Sequence, residues 1–132
     1  MKASTLSFRA AVVLVIVGMV WGLQMAISQD HSAFPAHAHL NLLGWVTLFL
    51  FGIYYRLHPV LEHSKLALAQ IWIWIAGTVI QAIGVGLVHT GTPQAEPAAA
   101  GGSIIVLVGM LLFGWQVLRV DAGGRTASQP AE

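Results

Sequence analysis

Between Arg9 and Asp30 the chain carries no acidic or basic side chain, and three later stretches of similar length are nearly as free of charge. A helix needs about 20 apolar residues, at about 1.5 Å each, to cross the hydrocarbon layer of a bilayer. The expected spans are residues 8–28, 35–57, 66–89 and 102–118. The first is longer than the apolar region of a signal peptide, and Gln24-Met25-Ala26-Ile27-Ser28 makes a poor cleavage site, so a retained helix is expected. Pro35 suits the first turn of the second span, with Ser32 close enough upstream to help cap it. The remaining residues, 121–132, are rich in Gly, Ser and Pro and read as a flexible tail behind a four-helix domain of residues 1–120.

Composition agrees. Charged residues make up 8% of the chain and hydrophobic ones 57%, whereas a soluble domain carries roughly 25% charged residues. Lys2, Arg9, Arg56, Lys65, Arg119 and Arg125 all fall at the two termini or in the loop between spans two and three; the other two loops have none. By the positive-inside rule this gives an all-α, up-down-up-down four-helix membrane bundle with both termini cytoplasmic. The setting expected is a bacterial inner membrane, with lipid as the surrounding partner. The net charge of +1, without a basic cluster, gives no footprint for nucleic acid. The absence of cysteine excludes disulfides, thiolate metal sites and covalently attached haem c.

Glycines recur in span three at Gly77, Gly84 and Gly86 and in span four at Gly109 and Gly114. Small residues allow close helix approach in lipid. Gln81, four residues after Gly77 and three before Gly84, shares their face, which is expected to point into the bundle as packing surface. Gln24, Thr47, Thr78 and Gln81 are the mid-span polar candidates, and no acid or base lies deep in any span, which argues against proton pumping. Trp115 reads as an interfacial anchor, Trp72 and Trp74 as packing residues, and Trp21 and Trp45 as packing residues with a flanking role beside a flat cofactor as the alternative.

Six histidines are the chemistry in this chain. His58 and His63 fall beside Arg56 and Lys65 and read as solvated loop residues; His31, His37, His39 and His89 fall on the outer side. His37 and His39 lie within about 8 Å of the start of their helix. There the helix dipole disfavours an added positive charge and so favours the neutral imidazole that binds metal. Positions i and i+2 differ by about 200° around a helix, so these two rings serve opposite sides rather than one ion. Asn41 and Gly44 follow on the His37 side, with Gly44 leaving room for a flat group or a neighbouring helix. Leu42, Leu43 and Val46 follow on the His39 side. His89, with Gly86 one turn before it, is the candidate second axial ligand, and His31 a candidate cap or metal ligand.

The stretch His37-Ala38-His39-Leu40-Asn41-Leu42-Leu43-Gly44-Trp45 resembles a segment of the haem-copper oxidase superfamily, in particular the catalytic subunits of cytochrome c oxidases with b-type haems and of nitric oxide reductases. The chain is also similar to small four-helix membrane proteins with a His-x-His-Leu stretch. The resemblance implies that His37 matches the ligand of a high-spin haem and His39 that of a low-spin haem on the opposite helix face. It covers about nine residues, and the family's twelve-helix scale and three-histidine copper site have no counterpart here.

The leading expectation is thus a protein binding one or two haem b groups at the outer face through His37 and His39, with His89 as partner, in electron transfer or in binding or reduction of a diatomic gas. A quinol or a cytochrome is the expected electron donor, and a homo-oligomer the expected assembly. The alternatives are a non-haem copper or zinc site of His31, His39 and His89 for metal handling, or a cofactor-free assembly subunit docking on a respiratory complex through its glycine faces.

Overall fold

The computed structural model describes the backbone of residues 1–127 and the side chains of residues 1–120. All regular structure among the described residues is helical: α1 (Ala3–Ser28), α2 (Phe34–Leu57), a short helical turn (Pro59–Glu62), α3 (Lys65–His89), a 3-10 turn (Pro93–Ala95) and α4 (Glu96–Ala127). Among the described residues four helices are long and apolar enough to cross a membrane, which makes this an integral membrane protein. α1 starts five residues before the apolar run at Phe8. α4 continues past Asp121, where the tail was expected to begin, to Ala127; residues 128–132 lie outside the described residues.

Helix ends follow local chemistry. α1 stops at Gln29, which adopts a left-handed φ of 56°, while its side-chain amide donates to Ala26 O at 2.6 Å. α3 ends at Thr90 and Gly91, where φ is 100° and glycine carries no Cβ penalty. The cap expected from Ser32 is replaced: the N-cap of α2 is Ala33 with no side-chain bond, and the Ser32 amide instead donates to Asp30 Oδ1 at 2.9 Å. Pro35 in the first turn lacks the N–H that such a position would leave unpaired.

α2 is not uniform. It is α-helical over Phe34–Asn41, π-helical over Leu42–Thr47 and α-helical again over Leu48–Leu57. A π segment shifts the ladder to wider i→i+5 spacing and leaves carbonyls poorly served. Here side chains serve two of them: the Trp74 indole N–H donates to Leu43 O at 3.0 Å and the Thr47 hydroxyl to Leu42 O at 2.9 Å, while just beyond the segment the Ser7 hydroxyl donates to Leu48 O at 2.5 Å. In lipid an unpaired backbone group costs several kcal/mol, so the Trp74 and Thr47 donors offset the cost of the widened turn.

The most extensive packing is between α3 and α4. A Cβ on Gly84 would meet Ala99 N at 2.3 Å, and one on Gly102 would meet Gln81 N at 2.4 Å, so at both points the backbones touch. A Cβ on Gly77 would meet Val106 N at 2.9 Å, and Gly109 faces the Trp74 ring at 3.2 Å. The expected face of Gly77, Gln81 and Gly84 does point inward, and Gln81 crosses it to donate to Ser103 Oγ at 3.0 Å. Trp74 is buried as expected, whereas Trp72, two residues away and therefore on another side of the helix, is 54% exposed on the bundle exterior.

Two polar clusters lie outside the sequence-based expectations. In the core, the Gln116 amide donates to Tyr55 Oη at 3.1 Å, the Tyr55 hydroxyl donates to Gln70 Oε1 at 2.9 Å, and the Gln70 amide donates to Gly109 O at 3.1 Å. This ties α2, α3 and α4 through three buried side chains. At one end of the bundle, Glu62 is buried, accepts from the Ser4 hydroxyl, and pairs with Arg56 at 3.2 Å and Lys2 at 3.8 Å. The Ser4 bond, followed by Lys2, Arg56 and His63, holds the Glu62 carboxyl below the ordinary glutamate range against the opposing effect of burial.

Candidate functional site

The first two turns of α2 present His37 and His39 in different surroundings, as a spacing of two requires. His37 is half-buried against α1: a Cβ on Gly22 would sit 2.9 Å from His37 Cε1. One turn along, Asn41 fills the matching notch at Gly18, where a Cβ would meet Asn41 Oδ1 at 2.5 Å. The pair Gly18 and Gly22 thus receives the pair His37 and Asn41, four residues apart on each helix. This is the close-approach spacing of small residues in membranes. Gly18-Met19-Val20-Trp21-Gly22 carries that signal in the sequence.

Asn41 lies against His37. Its amide nitrogen donates to His37 O at 2.8 Å and lies 3.3 Å from both ring nitrogens. The space at Gly44 is taken by a neighbouring helix rather than a flat group, since a Cβ there would meet Leu14 Cδ1 at 3.0 Å. The same holds at Gly86, where the Trp21 indole and Ala36 close in, so Trp21 acts in packing. Trp45 stacks tilted on Phe49 with ring centres 5.2 Å apart. The π segment begins directly after Asn41, so the site sits on the irregular part of α2.

His39 is exposed. Its Nδ1 bonds to Pro35 O at 2.7 Å, which makes Nδ1 the protonated nitrogen and leaves the Nε2 lone pair free. Leu42 and Val46, three and seven residues further along α2, are also exposed, so the ring stands beside apolar exterior side chains, while Phe34 lies on the other side with its ring centre 6.5 Å from that of His37. His89 is exposed too, with Nδ1 bonded to Val85 O at 2.9 Å, and His31 Nδ1 contacts Gln29 O at 3.2 Å. Backbone anchoring by itself does not distinguish a ligand, because His58 and His63 make the same bond to Tyr54 O and Pro59 O. His58 stacks on Tyr54, ring centres 4.1 Å apart.

Among the described residues no three His, Asp or Glu side chains are gathered so as to hold a metal ion. His31, His39 and His89 are therefore not assembled into the non-haem site considered from sequence. The glycine faces are likewise occupied: those at Gly77, Gly84, Gly102 and Gly109 are filled by α3–α4 contact, while Gly101 and Gly114 stand in open space.

Comparison with known proteins points to one group. Over 103 aligned residues, 60% of this chain, the sequence is 33% identical to a cytochrome c oxidase subunit 1 of Thermus thermophilus, of which it covers 18%. A second cytochrome c oxidase subunit 1 sequence from the same species is 36% identical over 58 residues, 39% of this chain and 54% of that protein. The chain thus spans under a fifth of one of these relatives and about half of the other. No family model and no solved structure matches the chain. What is established is a helical membrane protein with partial sequence similarity to cytochrome c oxidase subunit 1.

Proposed function

We propose that the chain binds haem b at the end of the bundle that carries His37, His39 and His89, and that it serves electron transfer or the binding of a diatomic gas. The observation that carries this reading is the divergence of two imidazoles from one helix end: His37 turned inward onto α1, and His39 exposed with Nε2 free. Similarity to cytochrome c oxidase subunit 1 supports it. The donor set fits: imidazole is an ordinary ligand of haem iron, and the Pro35 carbonyl orients the His39 ring through Nδ1.

His39 is the primary ligand in this reading. His37, seated in the Gly22 notch beneath Asn41, reaches an iron only if α1 yields. The haem, when bound, supplies the redox chemistry; the chain supplies the ligand, the apolar side chains of Leu42 and Val46, and ring orientation. A second ligand would come from a histidine, His89 or one from a second copy of the chain; without one the iron would be open to gas. All six Lys and Arg lie at the termini or in the loop between α2 and α3, which supports an arrangement with those segments cytoplasmic and the histidine end facing the periplasm.

The test is an absorption spectrum of detergent-purified protein, oxidised and reduced, with and without carbon monoxide. A Soret band is expected, lost in His39→Ala and kept in His58→Ala and His63→Ala. A carbon monoxide shift on reduction marks an open position; no shift marks two axial imidazoles. Colourless protein from a host supplied with haem sinks the proposal.

A further inference from the structure

A cavity of about 350 Å³ opens at the histidine end between α1, the loop that follows it and the end of α3. Its chemistry is graded along the helix axis. Trp21, Met25, Ile83 and Leu87 wall the part that lies within the spans, while Asp30, Ser32 and Thr90 stand at the rim, past the last helical residues. The polar groups are of both kinds. The Trp21 indole N–H has no partner among the described residues, and the Gln24 amide reaches Ser28 Oγ only at 3.5 Å, so both are donors to a ligand. Asp30 is the acceptor, with lone pairs left over after it takes the Ser32 amide at 2.9 Å. The Ser32 amide and hydroxyl hold its carboxyl below the usual carboxylate range, so it is ionised at neutral pH. This end of the bundle carries Asp30 and Glu96 and no Lys or Arg.

From Gln24 the surface continues along α1 as shallow apolar grooves, lined by Val20, Leu23 and Ile27 and then by Ile16 and Met19. These side chains are all exposed on the bundle exterior. The run from Ile16 to Ile27 spans about 16 Å of helix, which matches the hydrocarbon of one leaflet, about 15 Å. A polar rim, an amphipathic neck at Gln24 and an apolar track one leaflet long follow the order of groups in a phospholipid.

We propose that the cavity and the track together hold one ethanolamine phospholipid. Its ammonium donates to the Asp30 carboxylate, its phosphate and ester oxygens accept from the Trp21 indole and the Gln24 amide, and one acyl chain follows α1 past Leu23 to Ile16. The cavity volume lies at the small end of ligand pockets, about 300–1,000 Å³, and takes the headgroup and glycerol while the chain stays in the groove. Charge and hydrogen bonding set the choice among headgroups. A choline headgroup has no N–H to donate. A glycerol headgroup leaves the phosphate charge unbalanced beside Asp30 and Glu96. The donors and the groove act on every phospholipid alike, so the contact with Asp30 is what separates one from another. The assignment needs no haem and stands apart from the haem reading.

The experiment titrates the full chain in dodecyl maltoside with palmitoyl-oleoyl phosphatidylethanolamine, and separately with the phosphatidylcholine and phosphatidylglycerol of the same chains, and counts bound lipid by native mass spectrometry. The first ethanolamine lipid should bind roughly threefold to tenfold tighter than either of the others, the range of one exposed charge-assisted contact. Asp30→Asn keeps an oxygen for the Ser32 amide but removes the charge, and should erase the advantage over phosphatidylcholine. Glu96→Gln removes a like charge at the same end of the bundle but outside the cavity, and should leave that advantage intact. Gln24→Leu, at an exposed position, should weaken all three lipids in proportion. The preference is a ratio between lipids on one sample, so partial loss of fold in a variant lowers every lipid and leaves the ratio readable. Equal binding of the three lipids, a preference that survives Asp30→Asn, one that Glu96→Gln abolishes as well, or binding untouched by Gln24→Leu overturns the proposal.

Discussion

The same substitution, glycine to alanine, should have opposite signs at Gly84 and Gly114. At Gly114 a new Cβ meets nothing within 4 Å. The methyl group then only removes backbone freedom, which in a helix interior stabilises by about 0.5–1 kcal/mol. At Gly84 the same methyl would lie 2.3 Å from Ala99 N, 2.7 Å from its Cα and 2.8 Å from the Ala98 carbonyl carbon. Ordinary contact begins near 3.4 Å, so the overlap is roughly 1 Å, and it is with backbone, which has no rotamer to offer. α4 must move away. Gly102, pressed on the Gln81 backbone a short distance along, moves with it and stretches the 3.0 Å bond from Gln81 to Ser103. Overpacking of this kind costs about 1–3 kcal/mol, and an interhelical hydrogen bond in a membrane protein adds about 0.6 kcal/mol. Setting the helix-propensity gain of up to about 1 kcal/mol against these leaves Gly84→Ala less stable by about 1–3 kcal/mol. Unfolding of both variants by SDS titration in mixed micelles, followed by tryptophan fluorescence, measures the difference. If Gly84→Ala proved as stable as Gly114→Ala, the claim that α3 and α4 meet backbone to backbone would be wrong.

Tyr55→Phe leaves Gln70 Oε1 and the Gln116 amide without their shared partner in the core, and should lower stability by about 1–2 kcal/mol in the same assay; a change near zero would mean that the two amides re-pair with each other. Because the Glu62 carboxyl is held below the ordinary glutamate range in the folded chain, its contribution is present above that range and is lost as pH falls through the lower folded value. The melting temperature should therefore drop on acidification below about pH 4.3, and Glu62→Gln should flatten that drop; an equal acid response in the variant would place the effect elsewhere. Gly22→Leu should expel His37 from its notch and change the stability of the bundle while leaving the His39 contact to Pro35 untouched. Comparing its Soret band with that of His39→Ala separates the two imidazoles.

The existence of the four helices, their approximate limits, and the inward direction of Gly77, Gln81 and Gly84 followed from the order of residues. Membrane helices are specified locally: about 20 uncharged residues meet the thickness of the bilayer, and every backbone group is satisfied within the segment. The separation of His37 from His39 followed for the same reason, since an angle of about 200° is a property of one helix and needs no neighbour. What the neighbours do is a different matter. Whether Gly44 and Gly86 would leave space or be filled depended on where Leu14 and Trp21 came to rest. The π segment depended on Trp74 arriving from another helix to take the Leu43 carbonyl. Gln70 and Gln116 gave no periodic signal, yet they meet at Tyr55 because three helices converge there. Burial of Glu62 required Ser4, Lys2 and Arg56 to come together from distant parts of the chain. Local hydrophobicity and helical pitch were set by the sequence itself. Which polar atoms found partners was decided by tertiary packing, because a hydrogen bond needs both of its atoms in place and one of them usually belongs to another helix.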